Sequence, residues 1–254
     1  MGDALLSSKV IVKIPKYYIP IKRVEPIMID IDKMLPHEEI VSKRLEDLMD
    51  FIKKLDAVDM PLIVAPIPGT DKYLIVDGHH RWAALKELGA KKAPSIIIDY
   101  FDNSVKLYTW YPAFSGDLKI FLKKLKEEGV NYSTCKSRDV DELIEEKDYA
   151  FILIGRGDIC IVIYGGIEGQ KKVSHILDRL NVEGLIKLAY YGLKEDALRD
   201  LEKREIDYLL LRKIPSKEEV MEIVRKGEVF SPKTTRHVLP YIPDKTYTPL
   251  KDCY

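Results

Sequence analysis

The sequence predicts an α/β (α+β) fold in two parts. Apolar residues recur at helical spacing in several segments, short β-rich runs lie between them, and in the second half the two patterns alternate. Size is compatible with this reading. At 254 residues the chain exceeds what one hydrophobic core usually serves, so one large domain or two smaller ones both fit.

Taken in order, residues 1–20 read as a polar lead-in ending in an edge segment, Tyr17-Tyr18-Ile19-Pro20. Ile27 to Ile31 alternates as a short strand. Pro36-His37-Glu38-Glu39 reads as a helix opening, because proline suits a first turn and early carboxylates suit the positive end of the dipole. Apolar residues at 41, 45, 48, 49, 52 and 55 give that helix one buried face. Leu62–Ala65 and Tyr73–Val76 read as strands joined by the turn Pro68-Gly69-Thr70-Asp71-Lys72. Gly78 breaks the second strand, a helix follows to Leu88, and Gly89 stops it. Ser95–Tyr100 and Val105–Tyr111 are the next strands.

Beyond them, helices are expected near residues 116–128, 138–146, 168–180, 194–203 and 216–226. Strands are expected near 149–154, 159–164, 185–191 and 206–212. A boundary falls near 100–115, although no Ser/Gly-rich linker marks it. The segment from Phe230 to Pro243 reads as a donor-rich loop laid against the rest of the molecule.

Composition narrows the function. Lys plus Arg and Asp plus Glu both number 41, so the basic excess of a general DNA binder is missing. No apolar run approaches the roughly 20 residues of a membrane span, and Met1 to Lys16 lacks a signal-peptide core, so the expected location is cytoplasmic. Cys135, Cys160 and Cys253 form no CxxC pair, and an odd number makes no disulfide framework; free thiols are expected. Scarce Gln and Asn beside abundant Lys and Glu point to a hyperthermophilic source.

The strongest local signal is the strand Tyr73–Val76 followed by Asp77-Gly78-His79-His80-Arg81 and a helix. Gly78 permits a tight turn, and the free N–H groups of the new helix form an anion site. Arg81 adds a fork suited to phosphate oxygens, and Asp77 beside it could hold a divalent metal. An ordinary strand-to-helix turn is the plainer alternative. Glu38 is the candidate general base for an alcohol acceptor, against the plainer role of a helix-start carboxylate. Trp110 either walls a pocket or packs in a core. Of the five histidines, His175 reads as structural. Walker A and protein-kinase signatures are missing, and Gly155-Arg156-Gly157-Asp158-Ile159-Cys160 reads as a turn between strands.

Pro36-His37-Glu38 followed by Asp77-Gly78-His79-His80-Arg81-Trp82 resembles the ParB/sulfiredoxin superfamily, whose Gly-x-x-Arg turn binds nucleotide phosphates. His79 stands where sulfiredoxins carry their reactive cysteine, and no helix-turn-helix follows as in chromosome-partitioning ParB proteins. Within that superfamily the sequence resembles the archaeal free L-serine kinases more closely than the sulfiredoxins or ParB proteins. The likeness runs through Tyr108-Thr109-Trp110-Tyr111-Pro112, Tyr190 to Asp196, and Gly227 to Pro240.

The resemblance implies a ParB/sulfiredoxin-like nucleotide-phosphate-binding domain over residues 1–104. It implies a smaller-stranded α/β domain over 105–254, packed tightly against the first and completing the serine site. It implies phosphoryl transfer from ADP or ATP to the hydroxyl of L-serine, giving O-phospho-L-serine for cysteine biosynthesis. Glu38 would be the base, and Asp77 and His80 would organise the transferring phosphate and Mg²⁺. Gly78, His79, His80 and Arg81 would cradle donor phosphates. Trp110, Lys233, Thr234, Thr235, Arg236 and His237 would bind serine. Small molecules, not nucleic acid or membrane, are the expected partners; a ParB-like nucleotide-hydrolysing DNA-associated protein or nuclease is the alternative.

Overall fold

In the computed structural model, residues 10–136, 140–143 and 149–254 are described, and they divide into two compact units. The first takes Thr109–Ile214 together with the N-terminal segment up to Lys16; the second takes Tyr17–Tyr108 and Pro215–Tyr254. The last forty residues thus return to the unit that the early ones build.

The second unit is built on a five-stranded sheet in the order Ile27–Asp30, Lys92–Ile97, Leu62–Pro66, Tyr73–Asp77, Met34–Leu35. Leu62–Pro66 and Tyr73–Asp77 pair antiparallel, as the Gly69 turn between them requires, with a bulge at Ile63/Val64. Helices Ser42–Leu55 and His79–Glu87 complete a core that includes Ile52, Val64, Ile75, Ala84 and Leu85. The returning segment is stitched on by short pairings: Arg236–Val238 with Lys106–Tyr108, Ile242–Pro243 with Ile21–Lys22, and Thr248–Pro249 with Ala57–Val58.

Two expectations fail here. The helix does not open at Pro36: it begins at Ser42, and Glu38 lies in extended chain bridged to Phe230. Glu39 N–H donates to the Phe230 carbonyl at 3.0 Å, and Phe230 N–H donates to the His37 carbonyl at 2.8 Å. These long-range bonds satisfy the backbone that a first helical turn would have used. The expected loop from Phe230 to Pro243 is part strand for the same reason.

The first unit is a seven-stranded sheet in the order Ile11–Lys13, Ile186–Tyr191, Tyr111–Gly116, Tyr208–Leu211, Tyr149–Gly155, Cys160–Tyr164, Tyr132–Thr134. One core packs helices Leu118–Glu127 and Gly166–Val182 through Phe121, Leu125, Val173 and Ile176. Another packs Lys194–Glu202 through Ala197 and Leu201. Phe151 and Leu153 join the former while Ile152 joins the latter, as strand alternation dictates. Gly155 to Cys160 is the expected turn between strands. Of the helix expected near 138–146, Val140–Leu143 is helical and the rest lies outside the described residues.

The lead-in is more than a leader: Ile11–Lys13 is an edge strand parallel to Ile186–Tyr191, and Lys13 ion-pairs with Asp200, which also accepts from the Tyr191 hydroxyl at 2.8 Å. The free-thiol expectation fails for two cysteines: Cys135 and Cys160 are joined by a disulfide, with Cα atoms 4.9 Å apart, and Cys253 alone is free and buried. Spacing along the chain hides this. The partners meet because Tyr132–Thr134 runs antiparallel to Cys160–Tyr164.

Candidate active site

The strand Tyr73–Asp77 delivers the chain to Gly78, which caps the following helix with φ 98°. Only glycine adopts that conformation cheaply, and space reinforces the choice. A Cβ there would lie 3.1 Å from the Leu62 side chain and 3.3 Å from Arg81 Nη2. The first-turn amides of His79, His80 and Arg81 lack intrahelical acceptors and, with the dipole, favour an anion at this end.

Arg81 is not a loose phosphate fork. Its Nη1 donates to the carbonyls of Met60 at 2.9 Å and Pro61 at 2.6 Å, and its Nη2 donates to Asp77 Oδ2 at 2.6 Å. The guanidinium therefore braces the turn while adding positive charge to it. Asp77 is 58% exposed, and the hydrogen bond to Arg81 occupies only Oδ2. Among the described residues no group of three or more His, Cys, Asp or Glu could hold a metal ion by itself. Asp77 thus fits a Mg²⁺ that takes most of its ligands from water and nucleotide phosphates, the usual arrangement for this ion.

Across from the turn, Glu38 is fixed by the returning segment. Its Oε1 accepts from the Thr235 amide and hydroxyl, each at 2.6 Å, and its Oε2 accepts from the Lys233 amide at 3.1 Å. Lys233 reaches that position with φ 59°, unusual for a side-chain-bearing residue. Thr234 braces the same bend, donating to the Ser231 carbonyl at 2.8 Å.

His37 links the two halves of the site. It is 1% exposed; its Nδ1 lies 2.8 Å from the Ile75 carbonyl and 3.1 Å from His79 Nε2, and its Nε2 lies 2.8 Å from Thr235 Oγ1. His237 stands edge-on to the same ring with centroids 5.3 Å apart, and its Nε2 meets the Tyr100 hydroxyl at 2.8 Å. His80 Nε2 accepts from the Val41 amide at 3.2 Å.

Burial works against the charged form of these rings. It lowers the pKa of His37 against the pull of the Glu38 charge, and it pushes His79 and His237 well below the ordinary range. His80 drops to about 4 through burial and then the charges of Arg44 and Lys233. His237 consequently offers a hydrogen bond rather than a positive charge. The arrangement can seat an anion at a helix start and present a fixed carboxylate beside it.

The structure brings together Glu38, Lys233 and Thr235 directly, His79 and His237 through His37, and Asp77 with Arg81. Arg236 is 8% exposed, stacked on Tyr108 with its guanidinium 4.8 Å from the ring centre. Trp110 belongs to the other unit, half-buried against its core, and its carbonyl accepts from Arg212 Nη2 at 3.0 Å. His175 lies exposed on the Gly166–Val182 helix of that unit. Sequence reading missed His37. The only signal for it was its place beside Glu38 in a chain with five histidines.

Residues 17–109 match the ParB N-terminal domain, and residues 109–212 match the L-serine kinase SerK, C-terminal domain. An ATP-dependent L-serine kinase from Staphylothermus marinus is 60% identical over 244 residues, 95% of this chain and 96% of the relative. The chain belongs to the L-serine kinase family. A second member, the ADP-dependent L-serine kinase SerK of Thermococcus kodakarensis, is 52% identical over 95% of this chain and 98% of its own. A solved free serine kinase in complex with AMP is 52% identical, with a TM-score of 0.90 over 96% of this chain and 100% of that one. No helix among the described residues is long and apolar enough to cross a membrane.

Proposed function

We propose that this protein is a free L-serine kinase that moves the terminal phosphoryl group of ADP or ATP to the serine hydroxyl, releasing O-phospho-L-serine for cysteine biosynthesis. One observation carries the reading: a carboxylate immobilised by three hydrogen bonds is joined through the His37–His79 contact to an anion-binding turn in the same unit. Phosphoryl transfer asks little else of a protein than positioning and charge stabilisation. The relatives' names support both the acceptor and the choice of donors.

The residues divide the work. The amides of Gly78 to Arg81 receive the donor phosphates, with Arg81 supplying charge from its braced position. Asp77 would hold Mg²⁺, which would neutralise charge developing on the transferring group. His80, neutral, donates or accepts a hydrogen bond at the helix start. Glu38 accepts the hydroxyl proton as the oxygen attacks in line. The Lys233–His237 segment binds serine; a Lys233→Ala variant with an unchanged KM for serine would remove that residue from the role.

The test is incubation with L-serine, Mg²⁺ and either ADP or ATP, followed by chromatography for phosphoserine and for AMP or ADP. Phosphoserine with one or both donors is the expected result. Its absence with both donors overturns the reading.

A further inference from the structure

The contacts around His37 contain a proton count that goes beyond the assignment of Glu38 as base, although the inference drawn from it rests on that assignment. A carbonyl oxygen only accepts, so the 2.8 Å contact to Ile75 places a hydrogen on His37 Nδ1. His79 Nε2, which receives the His37 amide at 3.3 Å, faces the same Nδ1–H as a lone pair. His37 Nε2 then carries no hydrogen in the neutral ring.

From that nitrogen a chain runs outward: Nε2 to Thr235 Oγ1 at 2.8 Å, and Oγ1 to Glu38 Oε1 at 2.6 Å. These are two hydrogen-bond distances served by one hydroxyl hydrogen. With His37 neutral and Glu38 ionised, one contact sets lone pair against lone pair. One added proton satisfies both. It can sit on Glu38, with Thr235 donating to His37, or on His37, with Thr235 donating to Glu38. The two arrangements differ only by hydrogen shifts along fixed heavy atoms.

We propose that Thr235 and His37 form a proton relay behind Glu38, accepting the proton that leaves the acceptor hydroxyl. The substrate O–H bond breaks as its oxygen bonds to phosphorus, and the proton joins the Glu38 carboxyl group. The carboxyl passes a proton to Thr235 Oγ1 while the Thr235 hydroxyl hydrogen moves to His37 Nε2. One proton enters, one N–H bond forms, Glu38 regains its charge and His37 becomes imidazolium. Return of that proton to solvent by the reverse path resets the site. The titratable groups facing His37 are Glu38 on its own segment, His79 on the His79–Glu87 helix and His237 on the Arg236–Val238 strand. The regained charge of Glu38, one hydroxyl away along the same chain, is the counter-ion for the imidazolium.

Thr235 and His37 act through Glu38, and the test must separate relay from scaffolding. Single-turnover phosphoserine formation in mixtures of H₂O and D₂O reads the protons moving in the chemical step. The wild type should give a bowed proton inventory. Thr235→Val, which keeps the backbone amide on Glu38, should give a straight one and a single-turnover rate at least about tenfold lower. Thr235→Ser should restore both the rate and the curvature. A straight inventory in the wild type, or a Thr235→Val enzyme at full rate, overturns the relay. Glu38→Gln in parallel distinguishes the failures: an active Glu38→Gln enzyme sinks the base assignment, whereas an inactive one beside a fully active Thr235→Val sinks the relay alone.

Discussion

Glu38 accepts three hydrogen bonds: two from backbone amides, which can only donate, and one from the Thr235 hydroxyl. A glutamine there must turn its NH₂ group toward one of these donors, leaving a buried clash as well as removing the charge. Glu38→Gln should therefore lower turnover by roughly 10²–10⁴ while keeping nucleotide affinity, and should cost about 1–3 kcal/mol of stability. Rapid-quench kinetics, nucleotide titration and denaturant unfolding check the three parts. The motif singled out Glu38 as a candidate, yet its setting could not be read from the sequence. Its fixing groups lie 195 and 197 positions away, and no local pattern reports a partner at that distance. The contacts of His37 were hidden for the same reason: a histidine followed by glutamates looks like an ordinary polar stretch until Thr235, 198 positions on, closes over it.

Elements were easier to read than their ends. The strand Tyr73–Asp77, the glycine break and the helix from His79 follow from local chemistry and appear where the pattern put them. The helix now seen at Ser42 was placed six residues early, because proline and carboxylates suit a first turn equally well whether or not another strand claims their backbone. Gly78 carries the larger consequence. Gly78→Ala forces a Cβ into a φ of 98° and against Leu62, so it should lower stability by roughly 1–3 kcal/mol and disturb the amides proposed to receive the donor phosphates. Thermal unfolding with and without ADP would show a lower midpoint and a smaller nucleotide-induced rise than in the wild type. An unchanged ADP-induced rise would separate the glycine from phosphate binding.

For the whole molecule, the histidines set a stability trend with pH. His37, His79, His80 and His237 all hold protons less readily in the folded state than in the unfolded chain. Below about pH 6.5 the unfolded state therefore binds more protons, and stability falls as pH falls. Unfolding midpoints measured from neutral pH down to about pH 5 should decline. Replacing His80 with Gln should flatten the lower part of that decline. The disulfide adds a second global term. Closing a separation of 25 residues limits the unfolded ensemble, so reductant should lower stability by roughly 2–4 kcal/mol. This pairing escaped sequence reading because it follows from antiparallel strand register, a tertiary fact, rather than from cysteine count.

The return of the last forty residues to the early unit also has a consequence for synthesis. A ribosome adding roughly 5–20 residues per second makes Lys233 some 10–40 s after Glu38, a gap of 195 positions. For most of that interval, once Arg81 has been added, the Gly78 turn is translated, but the carboxylate beside it lacks its clamp. A nascent chain can therefore meet nucleotide before it can transfer anything, and competence arrives only when translation is nearly complete.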